Sequence, residues 1–597
     1  MSTKTHPLTR GKKQQALALL QAARLDEAKA LLEKICEMDR RDAEAWYLLG
    51  AIEHHYGRYE AAADCYEQVV ALNPQNADAH YFLGNALRET NKTDEAADHY
   101  RQALAIRPDY VEAYCNLGMV LEQQKRYEQA AEHYRQAARI DPARAELHYN
   151  LGNTLKAMDQ YADAEACYRR ALELRPDQVD AHNNLGNVLA DQGRFEEAIA
   201  CYRRALELRP DQVDAHNNLG NVLADQGRFE EAIAYLKQAA ISYPNQPDIH
   251  YNLGSLLRDC DQVTDAIAHY DRAMARRPDF VEAHWNRALA LLLVGDFRRA
   301  WPDYEWKWKH DGKVRPIPPT PWDGSNLEGR AVFLHAEQGL GDELFFLRFA
   351  AELKRRGVGT ITYRPGKKIA SLLSRTTLID RLAAADGLPA PSDMAFSVGD
   401  LPRLLGMERI EQIPPPLPLT PLPGQLETLR VRLAELGPPP YVGVTWRAGT
   451  KAENTRRRTL YKECPTQSLA QALKPLRCTA LILQRHPAPG EIGVFAEALG
   501  RPVHDLSELN EDLEKMLALL ALIDDYVGVS NTNMHLRAGV GKTAKVLVPA
   551  PPEWRWMAEG KESPWFPGFT VYRQGYDGNW EGAFDMLTAD LQHAYGR

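Results

Sequence analysis

The chain is 597 residues long, more than one hydrophobic core accommodates, and its 45% apolar and 26% charged residues exclude a wholly disordered polypeptide. Seventy-two basic against 81 acidic residues leave a net charge of −9, which excludes a general nucleic-acid binder with its basic surplus. The longest apolar run, Met516–Ile523, is about a third of a membrane span, Met1–Gln15 has no apolar core of a secretion signal, and the cysteines include no C-x-x-C pair. A reduced, cytoplasmic protein without structural zinc or a membrane span is the expectation.

The first half is periodic. Proline recurs every 34 residues at Pro74, Pro108, Pro142, Pro176, Pro210, Pro244 and Pro278, and glycine keeps the same step from Gly50 to Gly254. Alanines run in phase from Ala62 to Ala300, and tyrosines stand at Tyr66, Tyr100, Tyr134, Tyr168, Tyr202 and Tyr270. Each period holds two stretches of helical apolar spacing, such as Ala181–Asp191 and Phe195–Leu206, joined by a glycine-containing turn. Small residues let the two helices approach closely, and proline ends the second one. The pattern resembles the tetratricopeptide repeat. The resemblance implies an all-α superhelix over residues 1–308 with an inner binding face: a degenerate unit at 9–42, seven full units at 43–280, and a partial unit at 281–308 with Ala288 in the glycine position. Residues 166–200 and 200–234 are identical, the mark of a recent duplication.

Two polar columns share this register. Asn116, Asn150, Asn184, Asn218, Asn252 and Asn286 stand two residues before the repeat glycine position, with Leu48 and Phe82 in the two units before them. An amide donates and accepts together, so it can pair with a peptide backbone of any sequence. The column is similar to the asparagine ladder along the arm of the O-GlcNAc transferases, which holds extended acceptor protein. The six asparagines are therefore candidate acceptor-binding residues, and a role in joining neighbouring helices is the alternative. The histidine column, His148, His182, His216, His250 and His284, is not a metal site. Its members fall in successive repeats about 10 Å apart, too far to share an ion at about 2 Å per ligand.

Periodicity stops after Trp308, and residues 309–329 form a linker rich in proline and glycine. Trp301, Trp306, Trp308 and Trp322 around it are expected to pack the junction. From residue 330 strands and helices alternate: a strand Ala331–His335, a glycine turn Gln338–Asp342, a helix Glu343–Arg356 and a strand Gly359–Tyr363. This alternation predicts a Rossmann-like domain over 330–412. A proline-rich linker, 413–424, leads to a second such domain over 425–597, with strands Tyr441–Trp446, Thr479–Gln484, Asp525–Val529 and Lys545–Val548. Two α/β domains face each other across a cleft at the carboxyl ends of their strands.

His335-Ala-Glu-Gln-Gly-Leu-Gly-Asp342 and Val529-Ser-Asn-Thr-Asn-Met-His-Leu536 resemble two signatures of the heptosyltransferase-like GT-B glycosyltransferases, a glycine turn ending Gly-Asp and a Val-Asp-Thr-x-x-x-His-Leu turn. Pro551-Pro-Glu-Trp-Arg-Trp556 and Ser563-Pro-Trp-Phe-Pro567 look like the tails of bacterial tetratricopeptide-glycosyltransferase fusions. One departure is plain: the family's aspartate before threonine is replaced in Ser530-Asn531-Thr532. The resemblance implies a metal-independent, inverting transferase that needs no cofactor beyond a nucleotide-sugar co-substrate. It makes Asp342 and His535 the catalytic candidates, Asp342 as general base with Glu337 and then His335 as rivals. It makes Arg447, Lys451, Gln484, Ser530, Asn531, Thr532, Asn533 and His535 the donor-side candidates.

The chemistry agrees with such roles. A nucleotide leaving group develops negative charge, which backbone N–H groups at a helix start and neutral hydrogen-bond donors stabilise without a metal. The layout is similar to bacterial flagellin O-glycosyltransferases, so flagellin or another secreted surface protein is the expected acceptor and a CMP-activated nonulosonic acid a candidate donor. An inactive interaction scaffold and a transferase acting on surface polysaccharide are the alternatives. Gly541-Lys542-Thr543 lacks the upstream glycine of a P-loop, and the single Asp-x-Asp, Asp259-Cys-Asp261, falls in a repeat turn.

Overall fold

The computed structural model describes residues 7–312, 322, 326–336, 339–366, 368–384, 392–448 and 462–595. The chain divides into two compact units, Met1–Leu223 and Ala224–Arg597.

The first unit is all-helical among its described residues, from Pro7–Gln21 to Val213–Asp225, in helices of 13 to 15 residues. Close approach of the two helices in each repeat explains its glycine. A Cβ on Gly84 or Gly118 would lie 2.7 Å from the ring of Tyr100 or Tyr134, and one on Gly186 would lie 2.6 Å from Tyr202. The buried tyrosine ring takes the volume of a side chain, so only glycine fits opposite it. Several of these phenols donate within their own repeat, Tyr100 to Asn85 at 2.8 Å, Tyr168 to Asn153 at 2.8 Å and Tyr202 to Asn187 at 2.9 Å.

The histidine column has a structural task. Nε2 of His80, His148, His182 and His216 lies 3.1, 3.1, 2.9 and 2.8 Å from the carbonyl oxygen of the repeat proline six residues earlier. The imidazole N–H thus satisfies a carbonyl left over where the preceding helix ends. In the second unit His250 and His284 do the same for Pro244 and Pro278, at 3.2 and 2.8 Å. Among the described residues no group of three His, Cys, Asp or Glu side chains could hold a metal ion, and no helix is long and apolar enough to cross a membrane.

The second unit carries the last repeats, ending in helices Val281–Val294, Phe297–Tyr304 and Lys307–His310, followed by the α/β part. The repeats are fused to it through aromatic side chains. Trp301 is buried edge-on against Trp554 and Trp565, with ring centroids 6.2 and 6.5 Å away. Trp306 stacks on His284 at 3.9 Å.

Two sheets follow. The first comprises β1 (Ala331–His335), β2 (Thr360–Arg364), β3 (Arg381–Leu382) and β4 (Met394–Ser397), parallel in the order β3-β2-β1-β4. The second comprises β5 (Tyr441–Thr445), β6 (Thr479–Ile482), β7 (His504–Asp505), β8 (Asp525–Val529), β9 (Lys545–Val548), β10 (Glu562–Ser563) and β11 (Phe566–Arg573). Its order is β10-β11-β9-β8-β5-β6-β7, parallel except for the β10–β11 pair. Helix Pro423–Leu436 packs on helix Leu513–Leu522 of the second sheet's domain. Across the seam Arg375 pairs with both oxygens of Glu514, at 2.9 and 2.6 Å.

One expected helix differs. The segment after the glycine turn begins at Leu340, not Glu343, and breaks into a 3-10 turn at Leu347–Phe349 before Ala350–Arg355. Arg348 is the physical reason. Its buried guanidinium donates to the Phe345 carbonyl at 3.0 Å and to the Trp565 carbonyl at 2.7 Å, competing with the helical ladder.

Candidate functional site

Among the described residues the parallel strands of each sheet reverse their order once, between β1 and β4 in the first and between β5 and β8 in the second. Open α/β sheets bind ligands outside the carboxyl ends of strands at such points. Strand β1 runs into the turn that starts helix Leu340–Phe346, β5 into Trp446 and Arg447, and β8 into Ser530 and helix Thr532–Gly539. The β5–β8 approach is tight enough that a Cβ on Gly528 would collide with Thr445.

The two signature turns meet. A Cβ on Gly341 would lie 3.3 Å from Nε2 of His535 and 4.0 Å from Oγ1 of Thr532. The His535 ring stands edge-on to Phe345 and Phe566, with centroids 6.0 and 5.2 Å away, and its Nδ1 is buried without a partner among the described residues. Burial first, then the Arg555 charge, hold its pKa well below the ordinary histidine value. The imidazole is therefore neutral, a hydrogen-bond donor through one nitrogen and an acceptor through the other.

Asn531 stands at the N-cap of helix Thr532–Gly539, where its side chain accepts from the Asn533 N–H at 2.9 Å. Its amide also donates to Thr445 at 3.0 Å and Tyr526 at 2.9 Å, tying β5 to β8. An aspartate would cap this turn equally well, and asparagine keeps that geometry without the charge. Ser530 donates to Glu553 at 2.9 Å, and the buried Asn533 donates to Asn510 at 3.4 Å.

Beneath these lies a charged cluster. Glu553 accepts from Lys462 at 2.7 Å and from Arg555, and Arg555 also donates to Asp342. Burial opposes ionisation of Glu553, yet Lys462 and Arg555 hold its carboxyl far below the usual range. Burial likewise opposes the Arg555 charge, which Asp342 and Glu553 outweigh. Arg555 and Arg348 lie 4.6 and 4.4 Å from the centre of the Phe345 ring. Burial first, then Arg555, push the Arg348 guanidinium down to about 9.

The remaining sequence candidates divide. Gln484 is 2% exposed and fully used: its oxygen accepts from the Trp446 and Arg447 amides, and its NH2 donates to the Arg447 and Arg485 carbonyls. It shapes the end of β5 through backbone and has no hydrogen-bonding capacity left for a ligand. Arg447 is held by Glu491 at 2.8 and 3.2 Å, so a phosphate there must compete with that carboxylate. Lys451 and Glu337 lie outside the described residues.

Four asparagines of the ladder donate to a preceding helix. Asn116 reaches Asn85 at 2.7 Å and Tyr81 at 3.3 Å, Asn184 reaches Asn153 at 3.0 Å and Tyr149 at 3.2 Å, and Asn218 reaches Asn183 at 3.0 Å. In the second unit Asn286 donates to Tyr251 at 2.9 Å and accepts from Arg258 at 3.1 Å. Asn150 and Asn252 share the half-buried register. These four asparagines thus join neighbouring helices, which is the alternative role for the column.

Sequence reasoning does not assign Lys462, Glu553 and Arg555. Glu553 and Arg555 interrupt the aromatic and proline-rich stretch 551–556, and charges set in such a stretch signal buried, paired groups.

Comparison with known proteins bears on the repeats. Family models described as TPR repeat match residues 52–87, 84–125, 123–159, 152–193, 186–227 and 220–257, and one described as tetratricopeptide repeat matches 13–64 and 251–305. The chain therefore carries tetratricopeptide repeats. It is 27% identical to Protein FlbA of Caulobacter vibrioides over 332 residues, 51% of this chain and 54% of that protein, so it spans about half that relative's length. Similar solved structures include MamA, 19% identical over 28% of this chain and 93% of that one with a TM-score of 0.28. YrrB, described as a TPR protein with an unusual peptide-binding site, is 23% identical over 37% of this chain and 96% of that one with a TM-score of 0.27. The Cut9-Hcn1 hetero-tetramer chain is 20% identical over 47% of this chain and 55% of that one with a TM-score of 0.32.

Proposed function

We propose that this chain is a cytoplasmic protein O-glycosyltransferase whose repeat array engages an acceptor protein and whose α/β part, a GT-B pair of Rossmann-like domains, transfers a sugar from a nucleotide donor to Ser or Thr. The observation that carries this reading is the meeting of Gly341 and His535 at the reversal points of two parallel sheets. Neutral His535 donates to a phosphate oxygen of the departing nucleotide, with the amides at the start of helix Thr532–Gly539 beside it. Asp342 is the general base once its pair with Arg555 opens on acceptor binding. Flagellin or another secreted surface protein is the acceptor, and a CMP-activated nonulosonic acid is the donor.

The test is intact-mass analysis of flagellin from cells with the wild-type chain, with His535→Ala, and without the chain. A sugar-sized mass increment present only with the wild type supports the reading. Identical masses in all three overturn flagellin as acceptor, and identical proteome-wide glycan profiles overturn the transferase. A second reading, an inactive scaffold, draws on one observation: Asp342 is engaged by Arg555 and Arg447 by Glu491.

A further inference from the structure

The two signature turns come from different sheets, and a third segment supports both. It is the 3-10 turn Trp554–Trp556, which follows β9. The Ser563 hydroxyl of β10 donates to the Arg555 carbonyl and accepts from the Trp565 amide, so the backbone of this turn is fixed. The Arg555 side chain is only 9% exposed. Its guanidinium lies 4.6 Å from the centre of the Phe345 ring and 4.7 Å from that of Trp554. From there it forks to two carboxylates, Nη1 donating to Glu553 and Nη2 to Asp342. A rigid planar guanidinium can span two such partners, whereas a lysine ammonium is a single point charge.

The two carboxylates lead to the two turns. Asp342 belongs to helix Leu340–Phe346, which follows β1. Glu553 accepts from Ser530 at 2.9 Å, directly before the N-cap of helix Thr532–Gly539, which follows β8. Side chains thus link the first sheet to the second along Asp342, Arg555, Glu553 and Ser530. Lys462 donates to Glu553 at 2.7 Å from a further direction. Lys462 and Arg555 balance the charges of Glu553 and Asp342, and Arg348, bonded to the Phe345 and Trp565 carbonyls, adds one more cation. Removing one member of a buried ionic set leaves its partner's charge uncompensated, so the members hold one another in place. Asp342 is the most exposed of the set, with 39% of its side chain open.

We propose that Arg555 and Glu553 are positioning residues that hold the Asp342 carboxylate and the start of the His535 helix in one frame, fixing their spacing before an acceptor arrives. The roles of Asp342 and His535 rest on the transferase reading; the clamp between the two turns does not.

The test compares the full wild-type chain with Arg555→Lys, Arg555→Met and Glu553→Gln. Arg555→Lys keeps the charge and loses the fork, which guards against a variant that fails to fold. Amide hydrogen exchange followed by mass spectrometry, with the repeats as internal reference, needs no sugar. Both Arg555 variants should raise exchange at least about tenfold in helix Leu340–Phe346 and in helix Thr532–Gly539 together. Transfer gives a second readout, the acid limb of the pH–rate profile. Arg555→Met removes a cation beside Asp342, so the limb should move up by about one pH unit. Glu553→Gln removes an anion behind Arg555, so the limb should move down, with Lys462, Arg348 and neutral His535 unchanged in both variants. Opposite shifts are a signature that general loosening of the fold does not produce. Exchange that rises only in residues 551–556 or in one of the two helices, or transfer whose acid limb stays put in both variants, overturns the proposal. A wild type that transfers no sugar while both helices respond upholds the clamp and overturns the transferase reading.

Discussion

A Cβ placed on Gly341 would sit 3.3 Å from Nε2 of His535, although 194 residues separate the two in the chain. That contact is tighter than most real Cβ contacts, so any side chain at 341 must move the imidazole. Gly341→Val is therefore expected to lower sugar transfer by about 10²–10³, as loss of a charge-stabilising donor does. The melting temperature should stay close to that of the wild type if only the imidazole is displaced. Turnover and a thermal melt on the same sample check both; wild-type turnover would remove His535 from the chemistry.

In the repeats, glycine answers tyrosine. Gly118→Ala puts a methyl 2.7 Å from the Tyr134 ring and should destabilise the array by about 1–3 kcal/mol through overpacking. The double variant Gly118→Ala/Tyr134→Leu should recover part of that loss, since the sequence has Leu236 in the register that the other units give to tyrosine. Urea unfolding followed by circular dichroism reads the difference.

Acid should weaken the repeat that contains His250 and His269. Their Nδ1 atoms are 3.1 Å apart, Arg272 lies 3.4 Å from Nε2 of His269, and Nε2 of His250 faces the Pro244 carbonyl. The hydrogen bonds then run one way, from Arg272 to His269 to His250 to Pro244, and neither ring has room for a second proton. Burial first, then Arg272 and His250, pull His269 down to about 4, with Asp265 opposing and Lys237 adding a smaller push; burial lowers His250, against the Pro244 carbonyl and with Arg272 and Arg276. A histidine depressed in the folded state loses stability as pH falls, because only the unfolded chain takes up the proton. The loss should begin near pH 6.5 and approach completion near pH 4. Melts at pH 7.5 and 4.5 should differ less for His269→Leu than for the wild type; equal differences would refute the proton-excluding pair.

The asparagine column should report on stability as well as on acceptor binding. Asn116→Ala and Asn184→Ala each remove a donor from an inter-repeat bond and should cost about 1 kcal/mol. Calorimetric titration of acceptor into the same variants separates the roles: lowered affinity at unchanged melting temperature would return the column to the acceptor.

The helical half is legible in sequence because a 34-residue period repeats the same packing problem seven times, and its solution leaves the same residues at the same step. What the period hides is direction: Asn184 is as free, read alone, to face a peptide as to reach back to Tyr149. In the α/β half, strands β1, β8 and β9 coincide with their expected limits, since short apolar runs between turns have few other solutions. The Glu553–Arg555–Asp342 cluster is not legible. Its members come from positions up to 213 residues apart, and buried charges carry no periodicity. The helix break at Leu347 escapes too, because it depends on Arg348 reaching the Trp565 carbonyl, a tertiary event.

The duplicated unit has a consequence for how such an array changes length. Asn184 and Asn218 occupy the same place in identical sequences, yet Asn184 reaches back to Tyr149 and Asn153 while Asn218 reaches back to Asn183. Each unit addresses its predecessor, and this one has a predecessor of its own kind that already accepts it. A further tandem copy meets only a junction that exists, so recombination could add or remove 34-residue steps without inventing a new interface. Length in this region behaves as a heritable count, and the span between two points on a bound partner could be tuned in whole units with no change in the chemistry of either end.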